Sequence, residues 1–175
     1  STDFALSSSG RIRPRYTNSF MVKLTDLPEY ERDHLLSKNG RPLGPAAWTD
    51  LKKPVSDLRV ALITTAGIHT RDADAFNFTD ASYRPISKDQ KASDIVMSHS
   101  SVNFDKSGFV EDINVVFPLD RIRELAKNKK LGSVADIHYS FMGAGLEPEA
   151  FEKTALQVAG LLKQDQVDAV LLTPV

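Results

Sequence analysis

An α/β fold, with an open, mostly parallel sheet and flanking helices, is what three features of the sequence predict. Leu58–Thr65 is a buried-type run and Val170–Leu172 a continuous apolar one, both of the kind that form strands buried on both faces of a parallel sheet. Residues 148–164 carry Phe151, Ala155, Val158, Ala159 and Leu162 at helical spacing, so one stripe of that helix faces a sheet. Its place directly ahead of the second run is that of a crossover helix. Ligands of such sheets bind outside the carboxyl ends of the strands. That rule points to the loop after Ala66-Gly67 and to Thr173-Pro174-Val175.

Taken in order, residues 1–20 read as a flexible arm, with Ser7-Ser8-Ser9-Gly10 followed by a basic cluster at Arg11, Arg13 and Arg15. Residues 21–175 read as a single, incomplete α/β domain. A short helix starts near Thr25 or Asp26, with Pro28 in its first turn, and stops at Asn39-Gly40. His34 is expected to pack beside Tyr30 there. Residues 41–57 hold three prolines and read as a linker that Trp48 anchors. After the first strand, residues 68–72 form a loop, and 72–93 form a long irregular segment. Asp94–Ser98 is a short strand, and Asn114–Phe117 is either a strand or extended chain. A helix from Pro118 to Lys130 follows, with Ile122, Leu125 and Ala126 on one face and lysines at its carboxyl end. Gly143 and Gly145 mark a loop before the long helix.

The formal charge of −1 lacks the basic excess of a nucleic-acid binder, so no nucleic-acid partner is expected. No apolar run nears the roughly 18–20 residues of a membrane span. With no cysteine in the sequence, disulfides and thiolate metal sites are excluded within these residues. A cytoplasmic protein is the simplest reading. His69, His99 and His138 fall near probable strand ends, but no pair has metal-ligand spacing, so no metal site is expected. A histidine beside a crevice can bind a carboxylate or move a proton, and it can equally be a hydrogen-bonded structural residue. Ser98, Ser100 and Ser101 lack a nucleophile-elbow pattern, and no phosphate loop is present. Asp112 and Asp120 suit capping and turn roles. Residue types alone give an α/β domain with a crevice and no reaction.

Five motifs taken together go further. Val60–His69, Ser98-His99 with Asn103-Phe104-Asp105, Asp112–Arg121, His138–Gly143 and Asp168–Val175 occur in this order. They resemble the glycine/sarcosine/betaine/D-proline reductase selenoprotein family, and the small selenocysteine- or cysteine-containing subunit of the D-proline enzyme above all. The resemblance implies reductive cleavage of a C–N bond α to a carboxylate in a small amino-acid or amine substrate. It also implies a selenocysteine or cysteine directly after the strand matching 168–175. By this reading the chain ends one residue short of its nucleophile. A UGA codon read as a stop, a cut at that point, or a remainder carried on a separate chain would each place the end there.

The same resemblance implies a pyruvoyl group on a partner subunit, a thiol or selenol electron-donor protein, and an oligomer. No cofactor is expected on this chain. His69 and His99 are expected to bind the substrate carboxylate or deliver a proton. Asn103, Asp105 and His138 would line the pocket, and Thr173 would support the turn into the nucleophile. The alternative is a non-catalytic binding or assembly module of a larger complex. A flavodoxin-like cofactor binder has no loop motif in its favour.

Overall fold

The computed structural model describes residues 23–37, 49–101 and 106–175. The chain divides into two units, 1–48 and 49–175. In the first, α1 (Glu29–Ser37) follows Pro28 and buries none of its residues; Tyr30 and His34 are both exposed, so the expected packing of His34 is absent. The arm 1–20, the stop at Asn39-Gly40 and Trp48 lie outside the described residues.

The second unit is one small α/β domain built on β1 (Arg59–Thr64). Along one edge β1 pairs in parallel with β7 (Ala169–Thr173) over its whole length. Along the other it pairs with β5 (Ser133–Val134) at its start and β6 (Ile137–Phe141) at its end, both parallel. β3 (Tyr83–Ser87) completes the sheet antiparallel to β6. β2 (Ile68–Thr70) and β4 (Ile95–Met97) form a separate antiparallel pair. Two α-helices pack on this sheet, α3 (Leu119–Lys127) and α4 (Glu152–Gln164), while α2 (Ser107–Glu111) is a single short turn.

Alternation along β1 sorts its side chains into two layers. Val60 and Leu62 join Phe117, Leu119 and Ile122 on the α3 side. Ile63 joins Tyr139, Phe141, Val158 and Leu162 on the α4 side. Leu62 and Phe117 are fully buried, as the apolar run in β1 predicts.

Three elements differ from the sequence reading. β2 and β3 fall in stretches expected to be irregular. β3 contains Pro85, which a strand tolerates at a sheet edge, and among the described residues β3 pairs only with β6. Asn114–Phe117 is neither strand nor extended chain: Ile113–Val115 is a 3-10 turn whose Asn114 N–H donates to Asp112 Oδ1 at 2.9 Å, while Asp120 N–H donates to Asn114 Oδ1 at 3.1 Å. Asp112 thus takes the capping role expected of it, whereas Asp120 sits in the first turn of α3 behind the N-cap Pro118, and its carboxylate accepts from Asn114 Nδ2 at 3.3 Å and from Arg123 at 2.8 Å.

The expected burial of the last strand on both faces is overturned. β7 is an edge strand, and Val170, Leu171 and Leu172 are 36%, 44% and 65% exposed. α4 packs against β1 and β6 and leaves much of β7 bare, while no described residue lies along its outer edge.

Candidate functional site

Four chain segments meet at the carboxyl end of β1, and backbone bonds fix each one. Gly67 adopts φ +62°, a left-handed conformation that glycine takes without strain, and this turns the chain from β1 into β2. Its N–H donates to Phe141 O at 2.9 Å and its carbonyl accepts from Ser98 N at 3.0 Å, so the ends of β6 and β4 flank it. Ser98 Oγ accepts from Phe76 N at 2.9 Å, which commits that serine to holding the long loop. On the other side Thr65 N–H donates to Thr173 O at 3.3 Å, and Val175 N–H donates to Thr65 Oγ1 at 2.9 Å. The Thr173 hydroxyl lies 2.9 Å from Val116 O and 3.3 Å from Ile63 O, so it ties the end of β7 to the turn before α3. The crevice rule and the structure agree on the edge: residues 66–72 and Val175 lie at the same end of β1.

The three histidines are all buried, and each has one ring nitrogen assigned by a backbone partner. His69, in β2, is 4% exposed; its Nδ1 lies 2.8 Å from Thr70 O, which can only accept, so Nδ1 donates and the neutral ring keeps a lone pair at Nε2. That Nε2 is buried and has no hydrogen-bond partner among the described residues. Phe76 packs edge-on to the His69 ring at 6.2 Å, with the Arg84 guanidinium 4.3 Å from the Phe76 centroid, so the long loop folds back as a cover.

His99, 3% exposed, follows β4 and has the opposite tautomer: Ser101 N–H donates to its Nδ1 at 3.2 Å, placing the ring proton on Nε2. Burial, followed by the charge of Lys106, lowers its pKa and so favours the neutral ring.

His138 stands apart from this edge, fully buried in the α3-side layer against Phe117 at 5.8 Å. From Arg59↔Ser133 to Ile63↔Tyr139, β1 advances four residues while the facing strand advances six. The two extra residues take Leu62 N–H out of the ladder, and His138 Nδ1 accepts it at 3.0 Å. Burial is the main cause that lowers the His138 pKa to about 4. Asn103 and Asp105 lie outside the described residues. The structure therefore brings His69, His99 and Thr173 to the edge of the sheet reached by Val175, and puts His138 in the core.

A groove of about 450 Å³ lies between the sheet and α4. Its walls are apolar, with Ile63, Phe141, Phe151, Leu162 and Leu172 among them, and Thr65 and Gly143 supply the part nearest the strand ends. None of the three histidines lines it. Sequence reasoning passed over Thr65, Gly143 and Phe76. A hydroxyl residue at the end of a strand is weak evidence alone, and what Thr65 binds lies 110 residues away. Among the described residues no three His, Asp or Glu side chains cluster as a metal site, and no helix is long and apolar enough to cross a membrane.

The carboxyl edge of the parallel sheet thus carries two buried histidines of opposite tautomer beside the end of an apolar strand, in an α/β domain. Comparison with known proteins supplies the family. The family model described as "Glycine/sarcosine/betaine reductase selenoprotein B" matches residues 20–175, and the chain belongs to that family. It is 40% identical over 131 residues to the D-proline reductase subunit gamma of Acetoanaerobium sticklandii, a match covering 74% of this chain and 53% of the relative. It is 27% identical to the betaine reductase complex component B subunit beta of Peptoclostridium acidaminophilum, over 75% of this chain and 32% of that protein. The glycine reductase complex component B subunit gamma of Carboxydothermus hydrogenoformans is 28% identical, over 69% of this chain and 29% of its own length. The chain thus spans about half the length of the first relative and about a third of the others. No solved structure matches it.

Proposed function

We propose that this chain is part of an amino-acid reductase subunit that cleaves the C–N bond α to a carboxylate, with a selenocysteine or cysteine following Val175 as nucleophile. The observation that carries the reading is the family match over residues 20–175, joined to a 40% identity with a D-proline reductase subunit. The position at the carboxyl end of β7 supports it, because ligands of such sheets bind outside the carboxyl ends of the strands.

The net change is a two-electron reduction: the C–N bond breaks, carbon and nitrogen each gain a hydrogen, and a selenol–thiol or dithiol pair is oxidised. A bond forms from selenium or sulfur to the α-carbon as the C–N pair leaves with nitrogen. A second thiol then takes the selenium or sulfur, and the α-carbon takes a proton. A thiol or selenol donor protein restores the reduced pair. A pyruvoyl group, on a partner subunit in this reading, would supply the electron-withdrawing carbonyl that activates the amine.

This chain's own contribution is the wall of the pocket. His69 holds or returns a proton at Nε2, which has no hydrogen-bond partner among the described residues. His99 presents Nε2–H to the substrate carboxylate, with Lys106 supplying positive charge nearby. Thr173 holds the strand end that leads to the nucleophile, and the resemblance alone assigns Asn103 and Asp105 to substrate binding. The protein works in the cytoplasm as part of an oligomeric complex.

The test is an assay of the full-length subunit with its pyruvoyl partner and a dithiol, offered D-proline, glycine, sarcosine and betaine in turn. One of the four is expected to be cleaved, D-proline giving 5-aminopentanoate. If all four come through intact in a correctly assembled complex, the chain is an assembly module instead.

A further inference from the structure

Thr65 is more tightly placed than a strand-end threonine needs to be. Its Oγ1 accepts from Val175 N–H at 2.9 Å and lies 3.4 Å from Val175 O, so one hydroxyl engages both backbone groups of that residue. Its carbonyl accepts from Gly143 N at 3.0 Å and its own N–H donates to Thr173 O at 3.3 Å. Gly143 also leaves no slack on the far side. A Cβ there would sit 2.7 Å from Thr65 Cβ, 2.8 Å from its carbonyl oxygen and 2.9 Å from Oγ1, distances no side chain tolerates without displacing Thr65. Val175, beyond the end of β7 that the Thr173 hydroxyl holds, is therefore bound through the Thr65 side chain, itself pressed into place by the turn after β6.

We propose that Thr65, backed by Gly143, is a positioning residue that fixes the direction in which the chain leaves Val175 and so sets the attack geometry of the residue after it. The proposal rests on the function put forward above. Thr65 acts through Val175, so its loss should alter the reacting geometry and leave substrate affinity alone. A misplacement of about 1 Å at a reacting atom costs on the order of 100-fold in rate.

The experiment uses the full-length subunit in its assembled complex, with Thr65→Val, which keeps the shape and removes the hydroxyl, and Thr65→Ser, which keeps the hydroxyl. Turnover at saturating substrate is expected to fall roughly 10- to 100-fold in Thr65→Val with KM held within about twofold, and to stay within about threefold in Thr65→Ser. Iodoacetamide alkylation of the residue after Val175, followed by peptide mass spectrometry, should change rate in the valine variant only. A purely structural role would lower the folded fraction without changing the alkylation rate per folded molecule, and that result would overturn the proposal. Gly143→Ala, which keeps the hydroxyl and displaces it, gives a second route should the valine variant fail to fold. Its turnover should drop in the same way, and full turnover there would overturn the proposal. Unchanged turnover and alkylation in Thr65→Val, with a selenocysteine or cysteine present after Val175, would dismiss the role of Thr65 and leave the function standing. Absence of any such residue would dismiss the function itself, and the positioning role with it.

Discussion

Replacing His138 by phenylalanine will lower stability at neutral pH by about 1–3 kcal/mol and flatten its dependence on pH. The first effect follows from Leu62 N–H, which loses the His138 Nδ1 acceptor in a fully buried part of the sheet. Phenylalanine fills the volume, so little of the loss comes from a cavity. The second follows from the pKa of about 4 in the folded protein, against an ordinary value of 6.5. Because the unfolded chain binds this proton first, stability falls as the pH drops from about 6.5 toward 4. Above 6.5 neither state is protonated at this ring and the full contribution is present, while below 4 both states are protonated and the slope ends. The shift corresponds to about 3 kcal/mol across that window. Denaturant melts of both proteins at several pH values isolate this ring, since the other titrating groups are common to both. The two curves should converge as the pH falls toward 4. Parallel curves would mean that His138 does not titrate as its burial demands.

The second large effect is on catalysis. His69→Ala and His99→Ala, made in the full-length subunit within its complex, should each lower C–N cleavage sharply, the first by about 100- to 10,000-fold, the usual share of a positioned acid or base. The two should fail differently. His69 holds a bare lone pair at Nε2, so its loss should appear in kcat. His99 carries its proton on Nε2 and sits under the influence of Lys106, so its loss should appear chiefly as a raised KM for the carboxylate substrate. Both rings are buried, and circular dichroism with a thermal melt must accompany the kinetics. Unaltered rates in folded variants would remove both residues from the site.

Much of the fold can be read directly from residue order. β1 and α4 announce themselves because a buried strand and an amphipathic helix leave strong local patterns, and both fall close to where those patterns put them. β2 and β3 do not, since three residues carry little periodicity, and Pro85 with its polar neighbours disguises a strand in which Ile86 alone is buried. For β7 the pattern gives the strand but not its surroundings: Val170-Leu171-Leu172 has the composition of a sheet interior, yet here forms an edge. In the site, residue type singled out the histidines only as a group. It could not separate His138, whose role depends on a two-residue register slip against a strand 76 positions away. The opposite tautomers of His69 and His99 likewise depend on backbone contacts that no motif records.

The central claim is that the reacting atom of this subunit belongs to the residue immediately after Val175. Its most direct test is alkylation of the active, full-length subunit with and without substrate, followed by peptide mass spectrometry across β7 and the segment beyond it. The account predicts a single selenocysteine or cysteine at that position, whose alkylation abolishes C–N cleavage and is slowed by substrate. A subunit that stays active after that position is blocked, or that has neither residue there, would contradict it.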